Sequence, residues 1–216
     1  VFDVSGAGDT VIASLASGLA SGLDLSDSVR LANIAAGIVV GKSGTASPSL
    51  AELSISLNAV DSVLSKNEVK DLVKEAKQDS KKIVFTNGCF DLLHVGHITY
   101  LEEAKKLGDR LVVALNSDTS VRKLKGAKRP INKLKDRAKQ IAALDCVDWV
   151  TSFTEDTPLK LIKELEPDVL VKGKDYKVKD IAGSKEVLAK GGQVRTINLV
   201  KGISTTNLIR RIKDLD

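Results

Sequence analysis

His94 and His97 are the only histidines in the 216-residue chain. They flank Gly96 at the end of the run Thr86-Asn87-Gly88-Cys89-Phe90-Asp91-Leu92-Leu93-His94-Val95-Gly96-His97. The run separates a β-rich stretch from an amphipathic helical one, so the pair is expected at a helix N-terminus. Unsatisfied backbone N–H groups and the helix dipole attract anions there. Two imidazoles add hydrogen-bond donors for phosphate oxygens, and a glycine between them lets the backbone come close. A metal site built on the same pair needs third and fourth ligands, and only Asp91 and Cys89 are near. Phosphate binding is therefore the favoured chemistry, and no residue is assigned to a metal.

Charge is distributed to suit that chemistry. Residues 1–80 carry 6 Lys and Arg against 10 Asp and Glu, whereas residues 81–216 carry 27 against 18. Within the second part, residues 122–139 hold nine basic side chains and a single acid, Asp136. A solvated helix face is the plain reading of such a run, and a phosphate-binding stretch is the sharper one. Nucleic acid is not expected as a partner, because only 3% of residues are aromatic and none interleaves with the basic residues as a stacking platform. No apolar run of about 18 residues and no leader pattern occur, so no membrane partner is expected and the cytoplasm is the expected compartment. Cys89 and Cys146 are far apart and read as reduced thiols. The chain has no methionine and opens on Val1, which predicts a piece of a longer protein.

The elements that must position these side chains show in the rhythm of the sequence. After Lys82, short β-rich runs (83–86, 111–115, 148–152, 169–171 and 194–197) alternate with amphipathic helical ones (97–107, 133–144, 158–165, 180–190 and 204–213). This alternation predicts an α/β fold with a Rossmann-like parallel sheet covered on both faces. Ligands bind such sheets at the carboxyl ends of the strands, which makes the first strand–helix turn the place for chemistry. The front part reads as helices over about 10–23 and 24–40, the second capped by Asp24. Residues 58–80 read as a helical linker, which divides the chain into 1–57, 58–80 and 81–216.

Gly88-Cys89-Phe90-Asp91-Leu92-Leu93-His94-Val95-Gly96-His97 resembles the signature of the HxGH-type nucleotidyltransferases, which include glycerol-phosphate and ethanolamine-phosphate cytidylyltransferases and related adenylyltransferases. Asn116-Ser117-Asp118, Arg129-Pro130, Arg137 and Gly202-Ile203-Ser204-Thr205-Thr206 extend the match over about 82–213. The resemblance implies nucleotidyl transfer, with His94, His97, Lys125 and Arg137 as catalytic residues. It implies nucleotide contacts from Thr86, Asn87, Gly88, Cys89, Phe90, Gly96, Lys123, Lys172, Gly173, Asp175, Ser204 and Thr205. Asp91, Asn116 and Asp118 are the implied substrate contacts. Lys123 and Lys125 are expected on a loop that folds over the triphosphate, and Mg²⁺ is expected to bridge phosphate oxygens with few protein ligands.

Two departures narrow the choice within this family. Where glycerol-phosphate cytidylyltransferases carry Arg-Thr-Glu-Gly, this chain has Leu199-Val200-Lys201-Gly202. The stretch Val171-Lys172-Gly173-Lys174-Asp175-Tyr176 instead resembles heptose 1-phosphate adenylyltransferases, with Lys174 where glycine is usual. At the other end, Gly6-Ala7-Gly8-Asp9 ahead of an apolar helix resembles the C-terminal signature of ribokinase-type sugar kinases, in which the aspartate, here Asp9, is the base. A ribokinase-type tail joined to an HxGH domain resembles the bifunctional enzymes of ADP-heptose synthesis for the lipopolysaccharide core. The expectation is AMP transfer from ATP to D-glycero-β-D-manno-heptose 1-phosphate, without kinase activity, since most of the kinase part is missing. A cytidylyltransferase acting on another small phosphate ester, such as glycerol 3-phosphate, and a non-catalytic nucleotide- or nucleic-acid-binding module are the alternatives. Kinase helices without their own core would expose apolar surface, so a homo-oligomer is an expectation too.

Overall fold

The computed structural model describes residues 3–57 (side chains of 54, 55 and 57 excepted), 63–174, 176–198, 200 and 202–214. The chain divides into two units, 1–60 and 61–216. The first unit is helical, with α1 (Ala7–Ala20), α2 (Leu25–Val39) and α3 (Leu50–Leu57). Asp24 caps α2 by accepting the Asp27 N–H at 2.8 Å. Ser28, Ala32, Ala35 and Val39 are buried at helical spacing along one face of α2. This core is made of small side chains, and Ile12, Leu25 and Leu50 remain exposed.

The second unit opens with α4 (Lys66–Gln78), started by a reciprocal capping box between Ser65 and Glu68. Its apolar face, Val69, Leu72, Val73 and Ala76, is buried, and the helix packs against the sheet and a neighbouring helix. Just before it, the Leu64 N–H donates to Val150 O at 2.8 Å and the Thr151 hydroxyl donates to Leu64 O at 2.8 Å. From residue 63 the stretch expected as a connector therefore lies in the layers of the sheet unit.

The sheet follows as β1 (Ile83–Gly88), α5 (Val95–Lys105), β2 (Arg110–Asn116), α6 (Asp118–Lys125), α7 (Leu134–Ala142), β3 (Trp149–Phe153), α8 (Leu159–Leu165), β4 (Val169–Gly173), a 3₁₀ turn (Val178–Asp180), α9 (Ser184–Ala189), β5 (Gln193–Ile197) and α10 (Thr205–Lys213). The strands stand in the order β3-β2-β1-β4-β5 and every pairing is parallel. Helices cover both faces, so Ile83, Val84, Phe85 and Thr86 of the central strand are all buried, as a near-continuous apolar run requires. The chain steps from β1 to β2 and β3 in one direction and returns to place β4 and β5 on the other side of β1. That reversal opens a crevice at the carboxyl ends of β1 and β4. Among the described residues no helix is long and apolar enough to cross a membrane.

Two elements differ from expectation. Residues 118–125 form α6 instead of a loop. Ser117 caps it through the Ser120 N–H at 3.2 Å, and only Ser120 and Val121 are buried, too few to leave a periodic apolar signal. The expected 180–190 helix is broken at Gly183, whose φ is +88° and whose missing Cβ would lie 2.6 Å from Ile162 Cδ1. The chain turns there because only glycine fits against α8.

Candidate active site

β1 delivers the turn, and α5 begins at its far side with His94 as N-cap. The imidazoles of His94 and His97 stack, with centroids 3.8 Å apart and planes at 15°. Phe90 sets its ring 5.2 Å from that of His97 at 59°. Both glycines in the run sit tightly against this packing, Gly88 the more so. A Cβ on Gly96 would sit 3.1 Å from His94 Nδ1, and one on Gly88 would sit 2.7 Å from Phe90 Cε2. The Nδ1 atoms of both histidines are buried without a hydrogen-bond partner among the described residues.

Burial disfavours charge on this pair. Desolvation, followed by the neighbouring His94, pushes the His97 pKa down from 6.5 to about 4, and desolvation lowers that of His94. Both rings are thus neutral near pH 7. A polyanion set against them would reverse the balance, because an opposite charge at hydrogen-bond distance favours the imidazolium.

The pair faces a cavity of about 650 Å³ at the crevice between β1 and β4. The end of β1 and its turn contribute Asn87, Gly88, Cys89, Phe90 and Asp91, and β2 contributes Asn116. Lys125, the last residue of α6, forms part of the wall. Lys172 and Gly173 line it from β4, and Ser204 and Thr205 from the start of α10. The Ser204 hydroxyl caps α10 by accepting the Asn207 N–H at 3.1 Å. Lys172 Nζ donates to Asn87 O at 2.9 Å and stands 5.4 Å from the centre of the Tyr176 ring. The Cys89 thiol donates to Asn116 Oδ1 at 3.9 Å, and burial pushes its pKa up.

Four of the expected contacts are elsewhere, and their surroundings say why. Thr86 lies under the cavity floor, where its hydroxyl donates to Val171 O at 3.1 Å and shares a 2.7 Å hydrogen bond with Tyr100 Oη. Lys123 turns to Asp156 at 3.4 Å on the exposed side of α6. Arg137 has no exposed surface and does not line the cavity. Its Nε donates to Asn132 O at 3.1 Å, Nη1 to Cys89 O at 2.6 Å, and Nη2 to Asn116 O and Asp118 Oδ1, both at 2.8 Å. Arg137 is a strut that ties the histidine turn to the end of β2, and Asp118 is its counter-charge. Asp175 lies outside the described residues. Gly6, Gly8 and Asp9 stand at the start of α1 in the first unit.

Asp91 lines the cavity, yet its carboxylate is spent inward. It accepts Arg129 Nε at 2.5 Å, the Ile131 N–H at 2.8 Å and the Asn132 N–H at 2.9 Å. These donors hold the carboxyl below the usual range despite its burial. Arg129, Asp156, Tyr176 and Ile203 also line the cavity, although none of them was named as a site residue. Arg129, Tyr176 and Ile203 sit in stretches whose resemblance is quoted above, and Asp156 alone carried no signal in the sequence. Among the described residues no three His, Cys, Asp or Glu side chains converge as metal ligands.

A model of the cytidylyltransferase-like family matches residues 85–211, more than half of the chain, and the chain belongs to that family. A model of the pfkB family carbohydrate kinases matches residues 1–53. Among curated relatives, the bifunctional protein HldE of Haemophilus influenzae (strain PittEE) is 57% identical over 217 residues, covering 99% of this chain and 46% of that protein. Bifunctional protein HldE of Pasteurella multocida (strain Pm70) is 55% identical over 219 residues, covering 100% of this chain and 46% of that protein. The chain thus spans about half the length of the curated relatives it matches. Among solved structures, the lipopolysaccharide core biosynthesis protein from Thermoplasma volcanium GSS1 is 33% identical, with a TM-score of 0.48, covering 57% of this chain and 99% of its own.

Proposed function

We propose that residues 81–216 catalyse AMP transfer from ATP to D-glycero-β-D-manno-heptose 1-phosphate, yielding ADP-heptose and pyrophosphate for lipopolysaccharide core synthesis. The observation that carries the reading is the stacked His94–His97 pair at the α5 N-terminus, facing a cavity at the strand-order reversal. The resemblance of residues 171–176 to heptose 1-phosphate adenylyltransferases favours the heptose substrate and ATP, and the likeness to bifunctional protein HldE, over 99% of this chain, supports a two-part protein with a carbohydrate-kinase match at its front. A need for ATP supports a cytoplasmic location for this activity.

An oxygen of the sugar phosphate attacks the α-phosphorus, and the bond to the pyrophosphate oxygen breaks. The attacking oxygen is already anionic, so no protein base is required. Catalysis is positioning plus neutralisation of charge on the phosphates. His94 and His97 donate to phosphate oxygens and take up protons as the polyanion binds. Lys125 and Lys172 add positive charge, while the capped start of α10 at Ser204 and Thr205 presents backbone N–H groups. Arg137 and Asp91 act through the backbone, one holding the histidine turn and the other the 129–132 loop. Among the described residues no group of carboxylates, histidines or cysteines forms a cage for a cation; Mg²⁺, when bound, would neutralise charge on the phosphate oxygens.

The first unit is related to the pfkB family carbohydrate kinases, whose model matches residues 1–53. Pyrophosphate release should be measured with ATP and with CTP, against heptose 1-phosphate and glycerol 3-phosphate. Release with ATP and heptose 1-phosphate is the expected result. Release with CTP alone, or polynucleotide binding unaffected by His94→Ala, would overturn the reading.

A further inference from the structure

We propose that Arg129 binds a terminal phosphate in this cavity, its guanidinium aimed by Asp91. The inference rests on the nucleotidyl-transfer reading and adds a residue to it. Asp91 is buried to 1% side-chain exposure, and Arg129 lines the cavity at 18%. The pair is formed through Nε alone, at 2.5 Å. Neither Nη atom has a hydrogen-bond partner among the described residues, although a guanidinium carries five N–H donors. The four N–H groups on the two Nη atoms form a planar fork that fits two oxygens of a phosphate.

The mounting of that fork is unusually firm. The same carboxylate accepts the Ile131 and Asn132 N–H groups, and Asn132 Nδ2 donates back to Asp91 O at 2.8 Å. Side chain and loop backbone are thus fastened to one buried group, so the fork is oriented before any ligand arrives. With these donors on its oxygens, Asp91 has little capacity left for a sugar hydroxyl. It is a positioning residue, and Arg129 is the one that touches substrate. The neighbours choose the ligand: His94, His97 and Lys125 line the same cavity, and each can donate to an oxyanion.

Two phosphates in the reaction have this chemistry, the acceptor's monoester and the end of the triphosphate. The test measures kcat and KM for each substrate in the wild-type chain, R129M and R129K, with thermal unfolding as a control. A charge-assisted fork is strong for a hydrogen bond, so KM for one substrate should rise roughly tenfold to a hundredfold in R129M. R129K, which keeps the charge without the fork, should recover only part of that. The substrate whose KM moves identifies the phosphate. Free guanidinium should restore activity to R129A. KM values within threefold of wild type for both substrates, or lower thermal stability with a kcat loss that guanidinium does not repair, would overturn the proposal. If the wild-type chain releases no pyrophosphate, the functional reading fails by itself. Titration of wild type and R129M with inorganic pyrophosphate and with phosphate then decides, equal binding refuting the proposal and at least tenfold weaker binding by R129M supporting it.

Discussion

Replacing Arg137 by methionine separates a structural strut from a phosphate ligand. The substitution keeps most of the aliphatic volume and removes the guanidinium. Three carbonyl oxygens, of Cys89, Asn116 and Asn132, and the Asp118 carboxylate then lose their donors. Counting about 1–3 kcal/mol for each orphaned acceptor would overshoot, because the groups relax together. Breaking one partner out of a buried charge pair costs about 3–5 kcal/mol. Asp118 is 29% exposed and turns partly to water, which places the expected loss near the lower end, about 3 kcal/mol. That is a large part of a domain stability of about 5–15 kcal/mol. Trp149, the only tryptophan in the chain, lies in β3 and reports on the sheet unit during urea unfolding. The expected outcome is a lower midpoint with an unchanged slope, and activity that falls with the folded fraction or with disorder of the turn. R137M with a stability within about 1 kcal/mol of wild type and a collapsed kcat/KM would refute the strut and return Arg137 to the substrate.

Other perturbations test the turn itself. Gly88→Ala places a Cβ 2.7 Å from Phe90 Cε2, so the ring must leave its place beside His97. A loss of about 1–3 kcal/mol together with a fall in activity is expected, measured by urea unfolding and pyrophosphate release. His97 titrates near 4 in the fold and near 6.5 when exposed, so the unfolded chain binds the extra proton between those values. Its contribution to stability is present above about pH 6.5 and lost as pH falls toward 4, roughly 2–3 kcal/mol after allowing for its partial exposure. Unfolding at pH 7 and pH 5 should show the loss, and His97→Asn should flatten it. Because a bound polyphosphate raises the same pKa, ATP binding near pH 6.5 should take up protons. Calorimetry in buffers of different ionisation enthalpy reads this, and no buffer dependence would remove the histidines from the phosphates.

The parallel sheet, and the turn after its first strand that the cavity adjoins, were legible in the sequence. Ile83-Val84-Phe85 and Val169-Leu170-Val171 are continuous apolar runs of the kind that only strands buried on both faces require, and amphipathic helices separate them. The place of His94, Gly96 and His97 at a helix start was legible because it depends on residue types at fixed spacing along one turn, which is local information. Charge misled, for the opposite reason. Of the nine basic residues between 122 and 139, Lys125 and Arg129 reach the cavity wall, while Lys123 pairs with Asp156 and Arg137 is fully buried. A basic side chain looks the same in sequence whether its partner is a phosphate, a solvent-exposed carboxylate or three backbone carbonyls.

Sequence alone therefore determined the strand–helix alternation, the turn after β1 and the pair of imidazoles on it, because hydrophobic period and short-range spacing specify each. Tertiary structure alone decided what the charged residues face. Arg137 meets Cys89 and Asn116, and Arg129 meets Asp91, only after the sheet has brought together segments separated by 48, 21 and 38 residues. Those pairings use all three nitrogens of the Arg137 guanidinium inside the fold and only Nε of Arg129.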